Sequence, residues 1–222
     1  YLSASYSNTS KSMIVQAEDM AGDVRVAIDM NRGDEPLFVE GDTDTLTLDE
    51  IIMAKLADAV RLVEMEAPAT MLESGHDFGD NIFIGEDGKG FVILPEDFMR
   101  LISFRMSDWK RTVFEAISET DPQYALQSSK WEGICGNPEK PVCAIVRRSE
   151  GKVLEFYSSR DNRAIVTQAT YVPTPRIDGD GGIDVAEDCY RAAVYRAASL
   201  ALASVGDQLS TTMLEISKSL LQ

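Results

Sequence analysis

The sequence predicts an α+β fold, with helices at both ends of the chain packed with a central antiparallel β-sheet or barrel-like block. Three observations predict it. A strand-rich block runs over residues 91–172, and residues 48–65 before it carry apolar side chains at three- and four-residue spacing. Residues 185–221 after it do the same. The expected division is a helical part at 1–75, a β-rich part at 76–177 and a helical part at 178–222, forming one composite domain.

Met13, Ala17, Met20, Ala21 and Val24 stand at helical spacing, so an N-terminal helix is expected from Met13 to about Ile28. Residues 24–28 also alternate like a strand, which leaves the second half of that helix open. A turn cluster follows at residues 31–36, ending in Pro36. Thr47 and Glu50 then form a capping box, in which the hydroxyl takes an orphan N–H and the carboxylate reaches back to the cap. Leu48, Ile51, Ile52, Leu56, Ala59, Val60 and Val63 mark one helical face, with Asp49, Lys55, Asp58, Arg61 and Glu64 largely opposite. Pro68 limits the helix, and Met71 and Leu72 can add a turn.

Two short apolar runs, 81–84 and 90–94, flank a Gly-containing turn and read as a hairpin. Strands are expected at 100–109, 142–147, 152–158 and 164–172, with a turn at 149–151 and a loop at 128–137. A C-terminal helix is expected after Asp184 as its cap, with Glu187 three residues on. Gly206 should break it, with Asp207 as a fresh cap.

The composition excludes more than it selects. A 44% hydrophobic fraction over 222 residues supports a self-sufficient core, and charges interrupt every apolar stretch too soon for a membrane span. A chain opening on Tyr1 is expected to have been trimmed or processed, and its first 11 residues are polar, with no secretory hydrophobic core. Thirty-seven acids against 21 bases give a net charge of −16, a field that repels a polyanion. Such acidity either keeps the protein soluble or lets DNA slide past without sticking. Cys135, Cys143 and Cys189 make no CxxC pair, so neither a zinc knuckle nor a disulfide framework is indicated, and a reducing, intracellular assembly compartment fits best.

Each candidate site has a simpler reading. Asp178, Asp180 and Asp184 suggest a calcium loop, but Gly182, Ile183 and Cys189 occupy positions 5, 6 and 12, where such a loop needs an oxygen ligand, a glycine and a glutamate. A flexible acidic loop ending in a helix cap is the better account. Residues 85–90 lack the Ser or Thr after Lys89 that a phosphate loop requires, and read as a hairpin turn. His76 beside Asp77 has no second histidine and reads as a surface or loop residue. Phe98, Phe104, Trp109, Phe114, Tyr124 and Trp131 concentrate aromatics near Arg100, Arg105, Lys110 and Arg111. Glu96, Asp97 and Asp108 cancel much of that charge, so core packing or a protein interface is favoured over nucleic-acid stacking. No catalytic, cofactor-binding or metal-binding residue is assigned, and no enzyme is expected.

Five runs carry a resemblance: Asp44-Thr45-Leu46-Thr47-Leu48-Asp49-Glu50-Ile51-Ile52, Leu94-Pro95-Glu96-Asp97-Phe98-Met99-Arg100-Leu101, Met106-Ser107-Asp108-Trp109, Lys140-Pro141-Val142 and Leu154-Glu155-Phe156-Tyr157. In that order, within stretches 43–67, 76–83 and 94–157, the chain resembles the neck or tail ring proteins of crAss-like tailed phages. The resemblance covers about two thirds of the chain. It implies a virion structural protein, assembled in the host cytoplasm and placed as an adaptor beneath the portal. Copies would form a ring, a dodecamer, that meets the portal and other tail proteins and passes genome DNA without reading it. It implies no catalytic residues, no cofactor and no membrane partner. Without the resemblance, the residues indicate a structural or assembly interaction protein of another kind.

Overall fold

The computed structural model describes residues 12–31, 46–72, 76–129, 131, 133–149 and 151–222. The elements in chain order are β1 (Ser12–Gln16), α1 (Ala17–Asn31), α2 (Leu48–Glu66), β2 (His76–Asp77), β3 (Ile82–Ile84), β4 (Gly90–Ile93), β5 (Phe98–Met106) and β6 (Ile117–Ser118). They continue with α3 (Pro122–Leu126), β7 (Cys143–Arg148), β8 (Gly151–Phe156), β9 (Val166–Pro173), β10 (Gly182–Ala186), α4 (Tyr190–Ser204) and α5 (Leu209–Ser219). The fold is α+β. It divides into two compact units, Tyr1–Glu73 with Thr174–Gln222 and Ser74–Pro173. The turn cluster expected at 31–36 lies, beyond Asn31, outside the described residues.

The first unit joins the two helical ends of the chain. In α2 the capping box forms as expected: Thr47 N–H donates to Glu50 Oε2 at 2.7 Å, and Glu50 N–H donates to Thr47 Oγ1 at 3.4 Å. That first contact, with the bond from the Thr47 hydroxyl, holds the Glu50 carboxyl below its usual range. Ile52, Leu56, Ala59, Val60 and Val63 are buried, and the helix stops at Ala67 before Pro68. Helix α4 is rich in alanine, and Ala192, Ala193, Ala197, Ala198 and Ala201 are all buried. Small side chains let α2 and α5 approach it closely. Ser199 Oγ donates to Ser210 O and Ser217 Oγ to Ala192 O, each at 2.8 Å, and these bonds pin α5 to α4.

Two expectations fail in this unit. The N-terminal helix begins at Ala17, not Met13, because residues 12–16 form β1 and pair antiparallel with β10 in the register Met13↔Val185, Val15↔Ile183. The same pairing overturns the role given to Asp184, which lies inside β10 opposite Ile14 and is not the cap of the C-terminal helix. The C-terminal helix starts at Tyr190 after a 3-10 turn at Glu187–Cys189, with no side-chain cap. A partner about 170 residues away decides both cases, and local spacing cannot register it. Residues 24–28 are helical: Val24, Ala27 and Ile28 continue a stripe buried from Ala17 and Met20. Downstream, Gly206 takes φ +74°, so the break falls where expected; the N-cap of α5 is Gln208, and Asp207, one residue before it, accepts the Leu209 N–H on Oδ1 at 2.9 Å.

In the second unit the strands make open sheets among the described residues, in the orders β2-β9-β5 and β3-β4-β8-β7-β6, not a closed barrel. All pairs are antiparallel except β6 with β7. Strand β5 pairs with β9 through three register shifts, and four consecutive residues, Leu101 to Phe104, are buried, so both faces of β5 are covered. The core contains Val92, Phe98, Phe104, Met106, Trp109, Leu154, Phe156 and Tyr171. Gly90 is obligatory: a Cβ there would meet Phe83 O at 2.2 Å and the Phe156 ring at 2.6 Å. No helix among the described residues is long and apolar enough to cross a membrane.

Candidate interaction surface

The outer face of the five-stranded sheet is built by alternation. Residues of β4, β7 and β8 that point away from the main core carry Phe91, Ile93, Ala144, Val146, Arg148, Val153 and Glu155, continued by Tyr157. Ala144, Val146 and Val153 are buried in a second, smaller cluster, with Tyr124 of α3 and Tyr157 packed against it. Glu155 is 5% exposed at the centre of this face. Arg148 Nε donates to Glu155 Oε1 at 2.8 Å, and its Nη2 donates to the same oxygen. Tyr124 OH donates to Oε2 at 3.2 Å, and Tyr157 OH donates to Oε2 as well. Burial first, then the Glu155 carboxylate, pushes the Tyr157 phenol far above its ordinary range, and the same causes raise Tyr124. The carboxylate thus holds one guanidinium and two phenols in fixed places.

Around this anchor the rings are layered. The Arg148 guanidinium lies 4.4 Å from the Phe91 ring centre, and Phe83 stacks on Phe91 with centres 4.9 Å apart and planes 19° apart. Phe83 is 52% exposed. The patch therefore presents a flat aromatic surface beside a positioned cation. Tyr, Arg and aromatic side chains held rigid in this way are the types that anchor protein–protein contacts. Sequence reasoning missed the patch. Its one prior signal was the strand alternation of Glu155 with Tyr157, which places an acid among apolar residues.

The other candidates resolve individually. His76 and Asp77 are neighbours on a strand, so their side chains leave opposite faces and form no dyad; both are exposed. Asp178 closes a tight turn in which its Oδ1 accepts from Asp180 N–H at 2.9 Å and Gly182 N–H at 2.7 Å. The acidic loop runs into β10, not into a helix cap. Gly85 N–H donates to Lys89 O at 2.8 Å with Gly88 at φ +73°, the expected hairpin turn. Phe98, Phe104 and Trp109 are core, Tyr124 lies on the outer sheet face, and Phe114 and Trp131 are exposed, so the six aromatics form no single row. Lys110 pairs with Glu139, and Arg105 Nη2 donates to Trp109 O at 3.3 Å. All three cysteines are free thiols; Cys143 and Cys189 are buried, and burial pushes the Cys143 thiol up. Among the described residues no group of three or more His, Cys, Asp or Glu side chains is placed to hold a metal ion.

The charge divides unevenly. The first unit holds 9 Lys and Arg against 22 Asp and Glu, net −13, while the second holds 12 against 15, net −3. No protein-family model matches the sequence, and no curated protein matches it.

Proposed function

We propose that this chain is a structural subunit of a head-to-tail connector or tail ring of a tailed phage, joining portal to tail and letting genome DNA pass. It works through surfaces and carries out no reaction. The observation that carries this reading is the outer sheet face, where a buried carboxylate holds exposed Arg148 over half-buried Phe91, on which half-exposed Phe83 stacks. A ring needs two unlike surfaces on each copy, because its subunits meet head to tail. The sheet face supplies one in the second unit; in the first, Val26 and Met30 of α1 are 55% and 79% exposed. The sequence resemblance and the concentration of acid in one unit support the same reading. An acidic surface passes DNA because it releases no counterions from it.

Negative-stain imaging of the purified protein, alone and mixed with the portal of the same phage, tests this. Rings of about a dozen copies are expected in one or both samples. Single 24.4 kDa particles in both samples would overturn the ring and leave a non-ring assembly protein as the reading.

A further inference from the structure

Among the described residues the β1–β10 ribbon has one edge in use and one edge open. Ala17 N–H donates to Gly181 O at 2.9 Å, which sets the phase of the ladder. Antiparallel pairs alternate between bonded and non-bonded positions. Met13 and Val15 therefore bond to β10, while Ser12, Ile14 and Gln16 turn their N–H and C=O groups away from it. On the far side of β10 the matching groups are occupied: Asp178 N–H donates to Gly182 O at 2.8 Å, and Ala186 N–H donates to Glu64 Oε1 at 3.1 Å. Among the described residues nothing takes up the outer edge of β1.

Within residues 12–16 that edge lacks the charged side chains, proline and bulges that blunt an open strand. Ile14 at its centre is 72% exposed. The surroundings, in contrast, are acidic. Asp184 sits opposite Ile14, exposed Asp178 and Asp180 lie at the Gln16 end, and exposed Glu187 and Asp188 follow Ala186 at the Ser12 end. Glu18 and Asp19 open α1 directly after β1. Two bases stand among these seven acids: Lys11 adjoins the strand in sequence, and exposed Arg176 precedes Asp178 by two residues, next to the Ile177–Ile183 bridge.

We propose that the open edge of β1 accepts an extended basic segment of a partner protein as an added strand. The main chain of that segment pairs with Ser12, Ile14 and Gln16, an apolar side chain lies beside Ile14, and Lys or Arg side chains reach the acids at either end. A second copy through the same edge is disfavoured by charge, since it would bring together two units of net −13. The inference does not depend on whether copies form a ring.

The test is an anisotropy titration of the full chain at low ionic strength, with three labelled nonapeptide probes. One alternates lysine with valine, one alternates glutamate with valine, and one is the lysine peptide methylated at every backbone nitrogen. Binding of the lysine peptide below about 1 mM, at least about tenfold tighter than the glutamate peptide and lost on methylation, is expected. Ile14→Pro should weaken it about tenfold with the fold intact, because the N–H it removes points away from β10 and proline is tolerated on an edge. If Ile14→Pro does not fold, the methylated peptide on the native protein decides the question. No binding, equal binding of the glutamate peptide, or retained binding after methylation would overturn the proposal. So would self-association of the native chain that Ile14→Pro abolishes, which would make a second copy the occupant.

Discussion

At the scale of single residues, the buried acids divide into two kinds. Glu155 is compensated by a guanidinium and two phenols. Glu64 of α2, 5% exposed, accepts the Ala186 N–H but faces Asp184, and burial first, with Asp184 adding to it, raises its pKa from 4.5 to about 7. The sign follows from proton binding: the folded chain holds the Glu64 proton more tightly than the unfolded chain does. Glu64 therefore favours the fold most below pH 4.5, and that contribution is lost as pH rises towards about 7. The size is of order 3 kcal/mol. Glu64→Gln keeps an oxygen for Ala186 N–H and removes the charge, so the variant should melt above the native protein at pH 8 and level with it near pH 4. Thermal melts across that range check this. A native-minus-variant difference that stays flat with pH would show that Glu64 is not the titrating group. At Gly90 the effect is steric: Gly90→Ala should lower the melting temperature, because its Cβ falls 2.2 Å from Phe83 O, within a strand pair that cannot move aside freely.

At the scale of elements, α2 offers the cleanest comparison. Leu56 is fully buried, Thr47 caps the helix from an exposed position, and Asp58 points to solvent. Truncating a buried leucine costs about 2–5 kcal/mol and losing a cap about 1 kcal/mol. Leu56→Ala should lower the melting temperature well beyond Thr47→Ala, and Asp58→Ala should leave it unchanged; equal effects of Leu56→Ala and Asp58→Ala would contradict the packing of α2. This helix was legible in the sequence because cap, stripe and Pro68 are all local signals; Glu64, expected largely opposite the apolar face, is instead buried and accepts the Ala186 N–H, a contact from β10 that local spacing does not register. The hairpin of β3 and β4 was legible for the same reason, with Gly88 at its turn. The β1–β10 ribbon was not, since Met13 fits a helix stripe with Ala17 and Met20 as well as a strand, and only the pairing of Met13 and Val15 with Val185 and Ile183 distinguishes the two. The sheet-face anchor was equally hidden: Arg148 and Glu155 meet across a strand pair, and Phe83 reaches Phe91 through a hairpin, contacts that spacing along the chain does not encode.

At the scale of the whole molecule, the unequal charge of the two units sets the expected behaviour towards nucleic acid. Duplex DNA should show no measurable binding at physiological salt and remain weak at low salt, as a filter-binding or anisotropy titration would report. A micromolar complex with a steep salt dependence would instead mark Arg100, Arg105, Lys110 and Arg111 as a working basic face. Copies are proposed to assemble through the aromatic and arginine face of the five-stranded sheet. Light-scattering mass of the native chain beside Phe83→Asp, under the conditions that give particles, tests it most directly. Phe83 is half exposed, so the substitution should leave the monomer's melting temperature within a few degrees of native. The native chain should have a mass of many copies and the variant that of one copy. Particles of unchanged mass and yield from Phe83→Asp, or a native chain that stays at 24.4 kDa with and without the portal, would contradict it.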